Sequence, residues 1–301
     1  MQPHSITGDF FMTTAPAKPP AGACDCHVHV FGPASDYPFD PARTYTPGDA
    51  PLEALVALHR DLGIERTVIV QPSPYGADNR CTLDALARLD GRGRGVAVID
   101  ASTSQEALAD MHRAGVRGVR VNLETAGQHD PGVARRQLLR TAERVAPLGW
   151  HVQTYTNLPT IAALDGVWND MATPLVIDHF GRAQAAQGIS QPGFETLLTA
   201  LASGRVYVKV SAPYRISTAP DHADAAAIAG ALIDANPDRV LWGSDWPHPG
   251  TAAGVPLKVD GITPFKDVDN RRALARAMAW AGTPERVRKL LVDNPARLYD
   301  F

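Results

Sequence analysis

Short apolar runs rich in β-branched residues alternate along this chain with longer segments whose apolar positions recur at helical spacing. The short runs fall at 24–30, 66–71, 94–99, 117–121, 150–155, 174–178, 206–211 and 239–243 and read as strands. Helical patterns lie between them, near 51–62, 79–90, 104–114, 133–146, 158–169, 193–203 and 222–235, with two more near 265–280 and 284–292. Eight strands separated by helices predict an α/β chain folded as a (β/α)8 TIM barrel, one domain over 21–301. A doubly wound open sheet shares the alternation. Against it, no glycine-rich nucleotide loop follows the first strand, and the even spacing of strands leaves no place for a domain break. Residues 1–20 read as a disordered tail, extended and proline-rich from Thr13 to Pro20, with Met12 a possible alternative start. Two long loops, 32–51 and 249–264, should lie over the C-terminal mouth of a barrel.

The polar residues inside the apolar runs carry the chemistry. Side chains alternate faces along a strand, so in Cys24–Phe31 the imidazoles of His27 and His29 point the same way, with Asp25 below them. Cys24, Cys26, Val28 and Val30 should then face the opposite, helix-packed side. The run at 174–178 leads into His179, and that at 239–243 into Asp245. In parallel α/β folds active sites are built at such C-terminal strand ends. The first and eighth strands are neighbours in a closed barrel, so His27, His29 and Asp245 should meet, with His179 facing them. Three imidazoles and a carboxylate can hold one divalent ion. They can equally polarise a carbonyl while the carboxylate takes a proton from water.

Composition narrows the partners. The 301 residues carry a net charge of -3 with 20% charged residues, so no global field favours nucleic acid or an anionic membrane. No apolar stretch of about 18 residues suggests a membrane span, and the first 20 residues lack the basic and apolar regions of a secretory signal. Three cysteines, Cys24, Cys26 and Cys81, make no disulfide framework and point to a reducing, cytoplasmic setting.

The set of two strand-1 histidines, a sixth-strand histidine and an eighth-strand aspartate resembles that of the amidohydrolase superfamily. Local wording narrows this further. Cys26–Pro33 (CHVHVFGP), Val68–Ser73 (VIVQPS), Arg117–Asn122 (RGVRVN), Ile177–Arg182 (IDHFGR), Trp242–Pro249 (WGSDWPHP) and Asn294–Tyr299 (NPARLY) are similar to the 2-pyrone-4,6-dicarboxylate lactonase group of the amidohydrolase-related family. That group extends to sulfomuconolactone hydrolase, galactarolactone isomerase and other sugar lactonases. The resemblance implies a hydrolase that opens a carboxylated lactone, such as a muconolactone, sulfomuconolactone or sugar-acid lactone, in aromatic or sugar-acid breakdown. It implies Asp245 as general base toward water and His27, His29 and His179 as carbonyl-polarising groups, with no cofactor. Dinuclear members of the superfamily carry a bridging Lys or Glu after strand 4 and a His after strand 5. This chain has Arg120 and Asn122, then Gln153 and Tyr155. If one divalent ion does bind, Zn or Mn held by His27, His29, His179 and Asp245, the alternative is a mononuclear hydrolase or decarboxylase. A lactone isomerase is the other alternative.

By local motif, Tyr45, Ser73, Arg120, Tyr155 and Arg215 match the substrate contacts of the lactonase group. Arg120 and Arg215 suit an anionic lactone because a guanidinium grips a carboxylate at two points. The group's further arginine shortly after strand 4 has no counterpart in 123–129, which favours a substrate with a single acid group. His151 shares the inward parity of Tyr155 but begins its strand, so it reads as structural. Lys209, inward on the seventh strand, is either an anion contact or half of a buried ion pair.

Overall fold

In a computed structural model, which describes residues 18–124, 127, 130–250 and 259–301, eight parallel strands form one sheet that curls into a barrel. The strands are β1 (Cys24–Val28), β2 (Arg66–Val70), β3 (Gly93–Ala97), β4 (Val116–Asn122), β5 (His151–Tyr155), β6 (Leu175–Ile177), β7 (Val206–Ser211) and β8 (Val240–Gly243). Each pairs with its sequence neighbour from β1 through to β8. The closing seam between β8 and β1 has no ladder of its own. It is stitched by Asp245 N–H donating to His27 O at 2.8 Å and His29 N–H donating to Trp246 O at 2.8 Å. Gly243 is required there, because a Cβ on it would stand 2.5 Å from His27 Cβ.

The outer layer follows the sequence pattern. Helices α1 (Leu52–Leu62), α2 (Arg80–Ala87), α3 (Gln105–Arg113), α4 (Pro131–Val145), α5 (Leu158–Ala163), α6 (Val167–Asp170), α7 (Phe194–Ala202), α8 (Ala225–Ala235) and α9 (Asn270–Ala281) pack their apolar stripes on the outward faces of the strands. Ser104, Asp130, Asn157 and Asp269 cap their helices with side-chain oxygens, each accepting a backbone N–H of the first turn. The pattern expected as one helix over 158–169 is two, because Gly166 takes a left-handed φ of 76° and breaks the run. The helix expected from 265 starts at Asn270, behind its Asp269 cap. The chain then continues through Pro284–Arg288, a π turn at Lys289–Asp293 and Asn294–Tyr299, past the expected end at 292.

One expectation about β1 fails. Asp25 pairs with Thr67 but Val28 pairs with Ile69, so β1 carries one extra residue between them. Such a bulge resets the alternation of faces. Cys24 and Cys26 therefore lie inside the barrel with Val68, Val70, Val96, Val176, Tyr207, Leu241 and Tyr299. Asp25 turns away from the histidines, accepting Ser244 N–H at 2.9 Å and lying 3.3 Å from His59 of α1. His27 and His29 do point inward, and Val28 and Val30 pack with the helices as expected.

The barrel floor is closed by the end of the chain. Tyr299 is fully buried against Cys24 and Cys26, and its ring meets that of His151 edge-on at 5.2 Å. Arg66 and Arg94 cover the Phe301 ring at 5.3 and 4.6 Å, and Arg94 Nε donates to Tyr299 O at 3.1 Å. At the mouth, the long loop after β1 and the segment after β8 are joined by a two-residue parallel ribbon, Thr46–Pro47 with Ile262–Thr263. Of the segments discussed from sequence, residues 1–17, most of 125–129 and the stretch 251–258 lie outside the described residues. Among those described, no helix is long and apolar enough to cross a membrane.

Candidate active site

At the C-terminal mouth, four residues from three regions converge. His27 and His29 come from β1 and the residue just beyond it, His179 from the turn after β6, and Asp245 from the turn after β8. The Nε2 atoms of His29, His27 and His179 lie 3.4, 3.6 and 3.9 Å from the same oxygen, Asp245 Oδ1. All four residues are buried, and Asp245 Oδ1 accepts no hydrogen bond from the described residues. Its other oxygen is fully engaged. Tyr214 O–H donates to Oδ2 at 2.5 Å, and Arg215 donates through Nη2 at 2.7 Å and Nε at 3.0 Å. Two of the four stand on strained backbone: His179 at φ 50° and Asp245 at φ 63°, the left-handed region that residues with a Cβ avoid. Each such residue costs of order 1–3 kcal/mol and persists because its surroundings hold it there.

Electrostatics fixes the charge states. Burial on its own drives the Asp245 carboxyl up, but the Arg215 guanidinium, then His179, His29 and His27, hold it well below the usual carboxylate range. His179 is pushed well below the ordinary imidazole value by burial, against the pull of Asp245. His27 is lowered to about 4 by burial and then by Lys209. At neutral pH the Asp245 carboxylate therefore faces neutral His27 and His179 imidazoles. His29 Nδ1 sits 2.8 Å from Val70 O. A carbonyl only accepts, so His29 Nδ1 carries a hydrogen and Nε2 faces the cavity. His179 Nδ1 pairs with the Ser211 hydroxyl at 2.8 Å, a partner that can donate or accept.

Behind His27 lies a buried charged group. Asp178 approaches His27 Nδ1 at 3.3 Å, Lys209 Nζ at 3.7 Å and Arg120 Nη2 at 3.7 Å, and it accepts Gln153 Nε2 at 3.1 Å. Lys209 is fully buried, donates to Gln153 Oε1 at 2.7 Å and lies 3.2 Å from His27 Nδ1. Of the two roles open to Lys209 from sequence, the structure selects the buried ion pair; it does not reach the cavity.

The cavity above has a volume of about 500 Å³. Every substrate contact expected from sequence, Tyr45, Ser73, Arg120, Tyr155 and Arg215, lines it, together with His29, His179 and Asp245. His27 lies just beneath. Burial pushes the Tyr45 phenol up to about 12, so it enters as a neutral hydroxyl. Arg120, Arg182 and Arg215 surround the Tyr155 ring, each guanidinium within 6 Å of its centre: 5.9, 5.6 and 5.8 Å. Tyr214 and Lys266 also line the cavity and were not singled out from sequence. Tyr214 adjoins Arg215 and could have been found from that motif. Lys266 falls where the pattern read a helix from 265, but it precedes the helix, which starts at Asn270.

Donors fit one divalent ion as a set: His27, His179 and Asp245 offer ligand atoms within 4.8 Å of one another. Two ions do not fit, because the fourth and fifth strands supply Arg120 and Tyr155 where a bridging and a terminal ligand would be needed.

The amidohydrolase family pattern matches residues 24–301, nearly the whole described chain. The chain belongs to the amidohydrolase family. Among curated relatives, this amidohydrolase is 39% identical to 2-pyrone-4,6-dicarboxylate hydrolase of Comamonas testosteroni, over 94% of this chain and 93% of that protein. It is 36% identical to 4-sulfomuconolactone hydrolase of Hydrogenophaga intermedia, over 93% and 89%. A solved structure of the same family, from Pseudomonas putida, is 35% identical, covers 93% of this chain and 97% of its own, and superposes with a TM-score of 0.76.

Proposed function

We propose that this amidohydrolase opens an anionic lactone by attack of water on the ring carbonyl, without a metal. The observation that carries the reading is the unengaged Asp245 Oδ1 facing three imidazoles at the floor of a cavity that also holds Arg120, Tyr155 and Ser73. Relatives acting on pyrone dicarboxylate and sulfomuconolactone support the substrate class, since both are cyclic esters bearing acid groups. Three unpaired cysteines agree with a reducing compartment, and we place the enzyme in the cytoplasm.

Asp245 Oδ1 accepts a hydrogen of one water, with His29 Nε2 3.4 Å away beside it. This gives His29 a different part from the one suggested by the resemblance: it orients the nucleophile rather than the carbonyl. As the water oxygen bonds the carbonyl carbon, Asp245 takes its proton. Charge moves onto the carbonyl oxygen, where His27 and His179 donate from Nε2. Collapse re-forms the carbonyl, breaks the ring C–O bond, and the leaving oxygen takes the proton back from Asp245. The low proton affinity that Arg215 imposes on Asp245 makes the protonated form a strong acid for that last step. The product carries one more carboxylate and one new hydroxyl. Arg120, 7% exposed at its side chain and with no hydrogen-bond partner for Nε among the described residues, is placed to grip the substrate's acid group.

Were one divalent ion bound, His27, His29, His179 and Asp245 would hold it, and it would supply Lewis-acid polarisation of the carbonyl. The convergence of three of them, His27, His179 and Asp245, within 4.8 Å favours that second reading. The Arg215 guanidinium on the same carboxylate opposes it, since a cation there disfavours another. Ring-opening assays on metal-analysed enzyme decide between them. Full activity in the presence of chelator is expected. Loss on chelation with recovery at one equivalent of Zn or Mn overturns the metal-free reading, and ring opening of no anionic lactone overturns the function itself.

A further inference from the structure

We infer that Lys209 fixes which nitrogen of His27 carries the hydrogen, placing it on Nε2 and so making His27 a donor toward the substrate carbonyl. This rests on the metal-free reading above, in which a neutral His27 must donate from Nε2.

The geometry around Nδ1 offers two competing neighbours. Asp178 Oδ1 lies 3.3 Å away, and a carboxylate beside Nδ1 ordinarily draws the hydrogen onto that nitrogen, leaving Nε2 bare for a metal. Here the contact is not a hydrogen bond: Oδ1 lies off the direction in which a hydrogen on Nδ1 would point, and it has no hydrogen-bond partner among the described residues. The partner that is aligned is Lys209 Nζ, at 3.2 Å. An ammonium has three hydrogens and accepts none, so a ring nitrogen bonded to it must be the acceptor. In a neutral imidazole the hydrogen is then on Nε2.

The surroundings commit Lys209 to this role. It is fully buried, on the inward parity of β7, and cannot turn to solvent. Gln153 donates its amide to Asp178 Oδ2 at 3.1 Å, which leaves its carbonyl oxygen to accept from Lys209 at 2.7 Å. The orientation of that amide keeps Nζ beside the ring. Asp178, 3.7 Å from Nζ, is the carboxylate partner of this buried lysine. The same arrangement explains why the inner end of the site holds both a lysine and a carboxylate: the carboxylate holds the lysine, and the lysine orients His27. Lys209 is thus a positioning residue that never touches substrate.

The test is the tautomeric state of His27, read from ring-nitrogen shifts in the enzyme labelled with ¹⁵N-histidine at neutral pH, with activity measured on the same samples. In the wild type, hydrogen on Nε2 and a bare Nδ1 is expected, and hydrogen on Nδ1 overturns the inference with no variant needed. Lys209→Met removes the donor while keeping much of the volume. Asp178 should then capture Nδ1–H, Nε2 should lose its hydrogen, and kcat should fall roughly 10²–10³-fold, as for loss of one oxyanion donor, with KM little changed. A Lys209→Met enzyme whose His27 signal and kcat match the wild type overturns it as well. Metal content separates the two claims: a wild type with activity dependent on a bound ion sinks the metal-free reading, whereas a metal-free enzyme with hydrogen on Nδ1 sinks only the role given to Lys209.

Discussion

His27 and His151 occupy the two ends of the same barrel interior. Both are fully buried, both point inward, and burial followed by Lys209 lowers both, to about 4 and about 3. Their neighbours differ. His27 sits among Asp178, Lys209 and His179, with Nε2 turned toward Asp245. His151 lies beneath Gly118 and against the Tyr299 ring, and neither of its ring nitrogens has a hydrogen-bond partner among the described residues. A depressed imidazole is therefore no mark of catalysis on its own. Burial produces the shift at both ends, and only the upper one has charged groups in direct contact and a cavity.

The contrast predicts that changes in the upper half fall on turnover and changes in the lower half on stability. Asp245→Asn keeps the shape and removes the base, so ring opening should drop about 10²–10⁴-fold with an unchanged circular dichroism spectrum; near-normal turnover would take Asp245 out of the mechanism. His27→Gln, losing one donor to the oxyanion, should cost roughly 10²–10³-fold in kcat. Arg120→Lys keeps the charge and loses the two-point grip, and a lost hydrogen bond to a charged group is worth about 1.5–3 kcal/mol, or roughly 10–150-fold in kcat/KM. Comparing 2-pyrone-4,6-dicarboxylate with a mono-anionic lactone sharpens this: preference for the latter is expected, and preference for the dicarboxylate would give the second acid group to Lys266 or Arg182.

His151→Met is the smallest expected effect, with kcat near wild type. Its signature is in acid. A histidine held neutral binds fewer protons folded than unfolded, so the stability it permits is complete above the unfolded value of 6.5 and is lost as pH falls toward its folded value of about 3. The methionine variant lacks that loss, and its acid unfolding midpoint should shift to lower pH. A kcat falling as far as in His27→Gln would erase the distinction between the two ends.

Much of this was legible in the chain. Apolar runs placed the eight strands to within a few residues, and parity along β4, β5 and β7 sent Arg120, Tyr155 and Lys209 inward as found. Parity failed at β1, because nothing in Cys24–Val28 announces an extra residue, and one insertion moves Cys24 and Cys26 from the helices to the barrel core. The partners of Lys209 were hidden for another reason. Gln153, Asp178 and His27 belong to three other strands or strand ends, and their meeting depends on how far each strand is staggered around the barrel, which no local pattern encodes. Tyr214 and Lys266 come from irregular segments, where side-chain direction has no period to follow.

The seam between β8 and β1 has its own consequence. Its two closing backbone bonds are made by His27, His29, Asp245 and Trp246, three of which present the side chains of the site. Zipping the last strand to the first and aligning the reactive groups are one event. A partial opening that parts these strands while leaving the other seven pairings intact would still give a folded signal by most spectroscopic probes, yet the enzyme would be silent. Under mild denaturant, activity should fade before secondary structure does. The amides of His29 and Asp245 should exchange with solvent in step with that fading, ahead of those in the middle of the sheet.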